Sequence, residues 1–282
     1  MPDIWGIAAS TSKFALYLGI LTAAGSVIMA LAFRLEAYRR AAVGFASIGI
    51  LAALLAFSLR GALLTGDASG MFDLEMLALL WGTPIGTALA YRLIGLGLLI
   101  LGLFMGRKGL WLALFGGILA LWSFDHVGHI PDRDSVLLNI ALTFHLIAIA
   151  FWIGILMPLK RLASQKETWA QAADIGHRFG QYASVVVPLL IVAGGYMGYH
   201  LVGSISALLT TGYGQALLLK ILLVTILLGL AAANKLRFIP KLRARDENAA
   251  HHLVQSIRIE WIVILCVLGV TAVLTSNLTL PM

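Results

Sequence analysis

The chain has 282 residues, of which 60% are hydrophobic and only 12% charged, with a formal net charge of +7. A mean hydropathy of +0.95 excludes an ordinary soluble domain. The pI of about 9.8 would point to nucleic acid in a soluble protein, but here most basic residues sit in short connections between apolar runs, a membrane-topology pattern with no nucleic-acid partner.

A spanning helix needs roughly 20 apolar residues. Eight runs qualify, at about 14–35, 42–64, 84–106, 109–130, 134–159, 180–203, 214–236 and 255–278. The run starting near Phe14 is too long for a signal-peptide core and no small-x-small cleavage site follows it, so it reads as a mature helix. Arg34, Arg39 and Arg40 follow the first run, Arg107 and Lys108 the third. Lys160, Arg161, Lys166 and Arg178 follow the fifth; Lys235, Arg237, Lys241, Arg243 and Arg245 follow the seventh. The alternate connections carry Asp67, Asp73 and Glu75, then Asp132, Arg133 and Asp134, then no charge at all between Ser204 and Gly214. All four basic connections fall on one side, so both termini are expected in the periplasm. The expected architecture is all-α: a polytopic membrane protein of eight transmembrane helices, with residues 1–282 as one integral membrane domain.

Two stretches are expected to lie along the membrane surface: 71–81, too short to span and followed by Pro84, and the amphipathic 164–178 on the inner side. Gly95 and Gly97, Gly116 and Gly117, and Gly194 and Gly195 invite close helix packing. The lone Cys266 lies inside an apolar run, reads as a packing residue and supports neither a disulfide framework nor a Cys-rich metal site.

Ionisable residues inside lipid are costly and therefore functional candidates. His129 falls at the outer rim of the fourth run, with His126 and Asp125 three and four positions deeper, a spacing that puts all three on one helical face. His200 lies near the outer end of the sixth run with Met197 one turn below, and His145 sits about 15 Å into the fifth. Imidazole suits copper, zinc and iron, while thioether suits soft Cu(I), so Met197 beside His200 tilts the set towards copper. Trp152, seven residues beyond His145, shares its face. His177, His251 and His252 lie by the basic inner connections and read as surface histidines. Arg92 and Lys220 lie deep in the third and seventh runs, and Asp125 is the acid in reach of one of them. Unpaired positive charge is unfavourable beside a cation path and natural beside haem propionates or an anionic substrate. Glu260 opens the eighth run as a boundary residue, a buried counter-ion or a proton carrier. Neither a phosphate loop nor the motifs of common hydrolases are present, so an enzyme is not expected.

Three segments resemble the copper resistance D (CopD) family of bacterial inner-membrane proteins. They are HLIAIAFWIGILMPL (His145 to Leu159), TGYGQALLLKILLV (Thr211 to Val224) and SIRIEWIVILCVLGVTAVLT (Ser256 to Thr275). The resemblance runs from about residue 140 to 280; the first half is similar in topology alone. It implies a protein of the bacterial inner membrane that handles copper, as Cu(I) or Cu(II), between periplasm and cytoplasm. It adds weight to His145, Trp152, Lys220 and Glu260 and leaves His126, His129 and His200 to the reading of the residues. It also implies a separate periplasmic copper-binding partner of the copper resistance C type, because the copper-binding domain fused to some relatives is not seen here. The expected function is copper transport through a His/Met site in the outer half of the bilayer. The alternatives are a b-type haem protein with two histidine ligands and Arg92 or Lys220 on the propionates, and a copper-binding assembly factor that does not transport.

Overall fold

A computed structural model describes residues 4–35, 38–128 and 135–281. The described residues form helices and short connections, with no strand among them. The helices are α1 (Ile4–Phe33), α2 (Arg39–Thr65), α3 (Leu74–Trp81), α4 (Pro84–Phe104), α5 (Gly106–Trp122), α6 (Val136–Ala163), α7 (Trp169–Val202), α8 (Ile205–Thr210), α9 (Gly212–Ala233), α10 (Ile239–Arg243) and α11 (Glu247–Ser276). Eight of these elements are long and apolar enough to cross a membrane, so the protein is an all-α polytopic membrane protein.

The spans are not equivalent. In α1 the apolar window is 72% buried, and the helix packs against α2, α5, α6 and α11. It is the central post. In α9 the figure is 6%, and its main contacts are α11 and α8, so α9 lies at the periphery with Leu219, Ile221, Leu222 and Ile226 turned outward. Close approach around the post is bought with glycine. A Cβ on Gly25 of α1 would overlap the Ala150 carbonyl of α6, and one on Gly154 would overlap the Gly25 carbonyl. Gly95 and Gly116 hold α4 against α5 in the same way, whereas Gly97 and Gly195 have no neighbour near enough to need their smallness.

Several boundaries differ from expectation. Segment 71–81 does contain a short helix, α3, whose N-terminus is capped by the Asp73 side chain accepting from the Glu75 and Met76 amides. Its Leu74 and Leu79, with Phe72 just before it, are exposed, as an interfacial segment requires. Segment 164–178 is not a separate surface helix. From Trp169 it runs unbroken into the span, giving a 34-residue α7, and its Ala172, Ala173, Ile175 and Gly176 are buried, with α10 as neighbour. An inner partner thus covers the apolar face that was expected to meet lipid. Cys266 is on the exposed surface of α11, not in the core. At the C-terminal end of α9 the helix widens into a π-turn, Asn234–Phe238.

Candidate functional site

The end of α5 tightens into a 3-10 turn, Ser123–His126, before the chain turns at Gly128 with φ of 132°. In this tighter winding Asp125 and His126 meet different helices. The buried Asp125 carboxyl accepts from Thr143 Oγ1 of α6 at 2.5 Å, and its Oδ1 has no partner. The His126 ring stacks on Tyr91 of α4, centroid to centroid 4.9 Å, and lies 6.1 Å from Trp122. Its Nε2 is buried without a hydrogen-bond partner among the described residues. His129, expected on the same face, lies outside the described residues.

Asp125 is not ion-paired to Arg92 or Lys220; among the described residues the one ion pair is Arg178 with Asp174. Arg92 is buried, donates Nε–H to Ser123 Oγ at 3.0 Å and lies 5.2 Å from the Phe124 ring centre. Lys220 lies half-buried on α9 and forms no ion pair among the described residues.

His145 projects from α6 towards α7. A Cβ on Gly194 would come within 3.3 Å of its Cε1, so this glycine makes room for the imidazole. The His145 Nδ1 is buried and makes no hydrogen bond of normal geometry among the described residues, although the Leu190 backbone of α7 lies beside the ring. Met197 is also buried but packs against Leu138 of α6. His200 is exposed, held edge-on between Tyr196 and Tyr199. The expected Met197–His200 pair is therefore split between core and surface.

Seven residues inward from His145, Trp152 Nε1–H donates to Glu260 Oε2 of α11 at 3.2 Å. The other carboxyl oxygen of Glu260 accepts from Asn234 Nδ2 at the start of the π-turn. Glu260 is only 1% exposed. One turn of irregular helix thus turns Asn234 inward onto a buried acid.

Along α6 the polar groups fall in order: Thr143 with Asp125, then His145, then Trp152 with Glu260 and Asn234. Among the buried atoms without a hydrogen-bond partner here are Asp125 Oδ1, His126 Nε2 and His145 Nδ1, all able to bind a metal, beside the amide oxygens of Asn139 and Asn234. They do not form one tight cage: among the described residues no three His, Cys, Asp or Glu side chains cluster closely enough to hold an ion together. Sequence reasoning missed Thr143, Asn234 and Tyr91. Asn234 in AAANKLRF had a readable signal, an amide at the end of an apolar run. His177 and His251 are exposed and bond to Gln181 and Gln255, and exposed His252 stacks on Phe238, as expected of surface histidines.

The acids of the α2–α3 connection have structural work. The Ser69 side chain and, at 2.8 Å, the Ser69 amide hold the Asp67 carboxyl below the ordinary value of 3.8, and Asp73 caps α3.

Residues 173–274 match the copper resistance protein D family, and residues 1–138 match the copper resistance protein D-like N-terminal domain. The chain is 32% identical over 155 residues to inner membrane protein YebZ of Escherichia coli (strain K12), covering 53% of each chain. It is 29% identical over 177 residues to copper transport protein CutJ of Bacillus subtilis (strain 168), covering 60% of this chain and 31% of that one. The chain therefore spans about half the length of the first relative and under a third of the second. No solved structure matches.

Proposed function

The chain belongs to the copper resistance protein D family, and on that premise we propose that it moves copper ions across the bacterial inner membrane. It does so as a carrier, not as an enzyme. The observation that carries the reading is a pair of half-buried imidazoles, His126 and His145, whose buried Nε2 and Nδ1 have no hydrogen-bond partner among the described residues. A buried polar nitrogen is normally satisfied, and a neutral imidazole is a good ligand for copper. Asp125 Oδ1 supplies a third free donor in the outer half.

In this reading copper is the cargo. His126, with Asp125 beside it, takes the ion at the outer face, together with His129 of the same connection and the exposed His200. His145 receives it deeper along α6, and the Trp152–Glu260–Asn234 cluster closes the inner end. Met197 offers a thioether one turn from His200 if the outer end of α7 opens. The basic ends at Arg39, Arg40, Arg107, Lys108, Lys160 and Arg161 face the cytoplasm and both termini face the periplasm. A periplasmic copper-binding protein of the copper resistance C type delivers the ion at the outer segment around α3, where Phe72, Leu74 and Leu79 are exposed.

Metal analysis of the purified protein loaded with Cu(I) tests the proposal. Wild type should retain copper through desalting, and His126→Ala and His145→Ala should each retain less. Undiminished retention by the double variant would remove both histidines from the path. A Soret band in the same preparation would favour the haem alternative.

A further inference from the structure

A second polar site lies in the outer half, between α1, α2 and α4. A cavity of about 80 Å³ there is lined by Lys13 of α1, Arg60 of α2 and Arg92 of α4. Three cations on three helices face one space. Lys13 donates to the Thr275 carbonyl at 2.7 Å, and Arg92 uses Nε on Ser123, so the Arg92 Nη groups and the Arg60 guanidinium have no hydrogen-bond acceptor among the described residues. None of the three is paired with an acid among the described residues. Asp67, seven residues from Arg60, is engaged on Ser69, and Asp125, near Ser123, on Thr143.

Like charges gathered in an apolar setting repel and lose hydration. The walls here are Leu16, Phe57, Leu63, Ile85 and Leu89, which screen little. Arginine stays charged, so deprotonation cannot relieve Arg60 and Arg92. A bound anion can. We propose that this cavity binds a phosphate group, held by the forks of Arg60 and Arg92 and the ammonium of Lys13. Arginine forks match the paired oxygens of a phosphate, and three cations favour phosphate over a single carboxylate. The group comes from inorganic phosphate or from the headgroup of an anionic phospholipid whose chains lie along the apolar wall. This site is separate from the copper reading and stands or falls without it.

The test uses the full chain, delipidated in neutral detergent. Inorganic phosphate is titrated against it calorimetrically. In parallel, retention of phosphatidylglycerol is compared with that of phosphatidylcholine by native mass spectrometry. Binding of inorganic phosphate identifies the free ion; selective retention of phosphatidylglycerol alone identifies the lipid. In either arm Arg60→Gln and Arg92→Gln should each weaken binding about tenfold or more. Arg60 is half-buried at the rim, so Arg60→Gln reads the site even if Arg92→Gln fails to fold. Failure of both ligands to bind, or binding unchanged in Arg60→Gln, overturns the proposal. A Soret band lost in Arg92→Gln overturns it too, by giving the cavity to porphyrin carboxylates.

Discussion

Replacing Glu260 with alanine removes the one acceptor that Trp152 and Asn234 share. The shared acceptor is buried, Glu260 being 1% exposed, and the two donors are half-buried against it. Each buried donor left without a partner costs about 1–3 kcal/mol, so the pair should cost about 2–6 kcal/mol before any cavity is counted. Glu260→Gln keeps one carbonyl oxygen but turns an NH₂ towards the second donor, so about half of that loss, roughly 1–3 kcal/mol, is expected. Removing Trp152's donor as well, in Trp152→Phe with Glu260→Ala, should cost less than the sum of the two single changes, because orphaned donor and missing acceptor cancel. Reversible unfolding in mixed micelles with increasing dodecyl sulfate, followed by far-ultraviolet circular dichroism, measures wild type and all four variants. Strict additivity in this cycle, or Glu260→Ala within about 0.5 kcal/mol of wild type, would refute the view that α6, α9 and α11 are locked together through this carboxyl group.

Gly154→Leu should be destabilised by about 1–3 kcal/mol or fail to accumulate, since its side chain meets the α1 backbone; Gly229→Ala, with open space around it, should be neutral or slightly stabilised, both read in the same unfolding assay. Asp73→Ala removes the α3 cap, a loss of about 0.5–2 kcal/mol confined to that turn, so amide exchange at Glu75 and Met76 should accelerate while α4 is unchanged. Asp67 is held below 3.8, so its turn gains from the carboxylate above that pH. That gain is lost as pH falls through the lower folded value, and Ser69 amide exchange should rise there and not at neutral pH. A reporter active only in the cytoplasm should work when fused after Arg243 and fail after Asn277; activity at the second position would reverse the orientation.

The architecture was legible because the dominant signal, apolar run length, is set by bilayer thickness. Eight runs became eight spans. What the runs could not show was where helices continue past the lipid. Lys13 fell just outside the first run as drawn, yet α1 begins at Ile4 and carries it into the bundle, so the three-cation cavity was invisible from sequence. Segment 164–178 looked interfacial because its amphipathicity is the same whether lipid or α10 covers it. The resemblance weighted Trp152 and Glu260 separately without pairing them, and placing Asn234 on Glu260 needed the π-turn, which has no sequence periodicity to betray it. The shared face expected for Asp125, His126 and His129 assumed α-helical spacing. The 3-10 winding of 123–126 sends Asp125 to α6 and His126 to α4 instead.

The central claim is that copper crosses by way of His145. Cu(I) uptake into proteoliposomes, with the protein oriented and a copper-sensitive dye inside, measures it directly. Wild type should load the lumen. His145→Ala should retain copper on His126 yet carry none inward, and His145→Gln, which keeps an amide across the α6–α7 contact but offers a poorer copper ligand, should be equally silent. Uptake by His145→Gln at the wild-type rate would contradict the account, leaving His145 as a side chain that only fills the space beside Gly194.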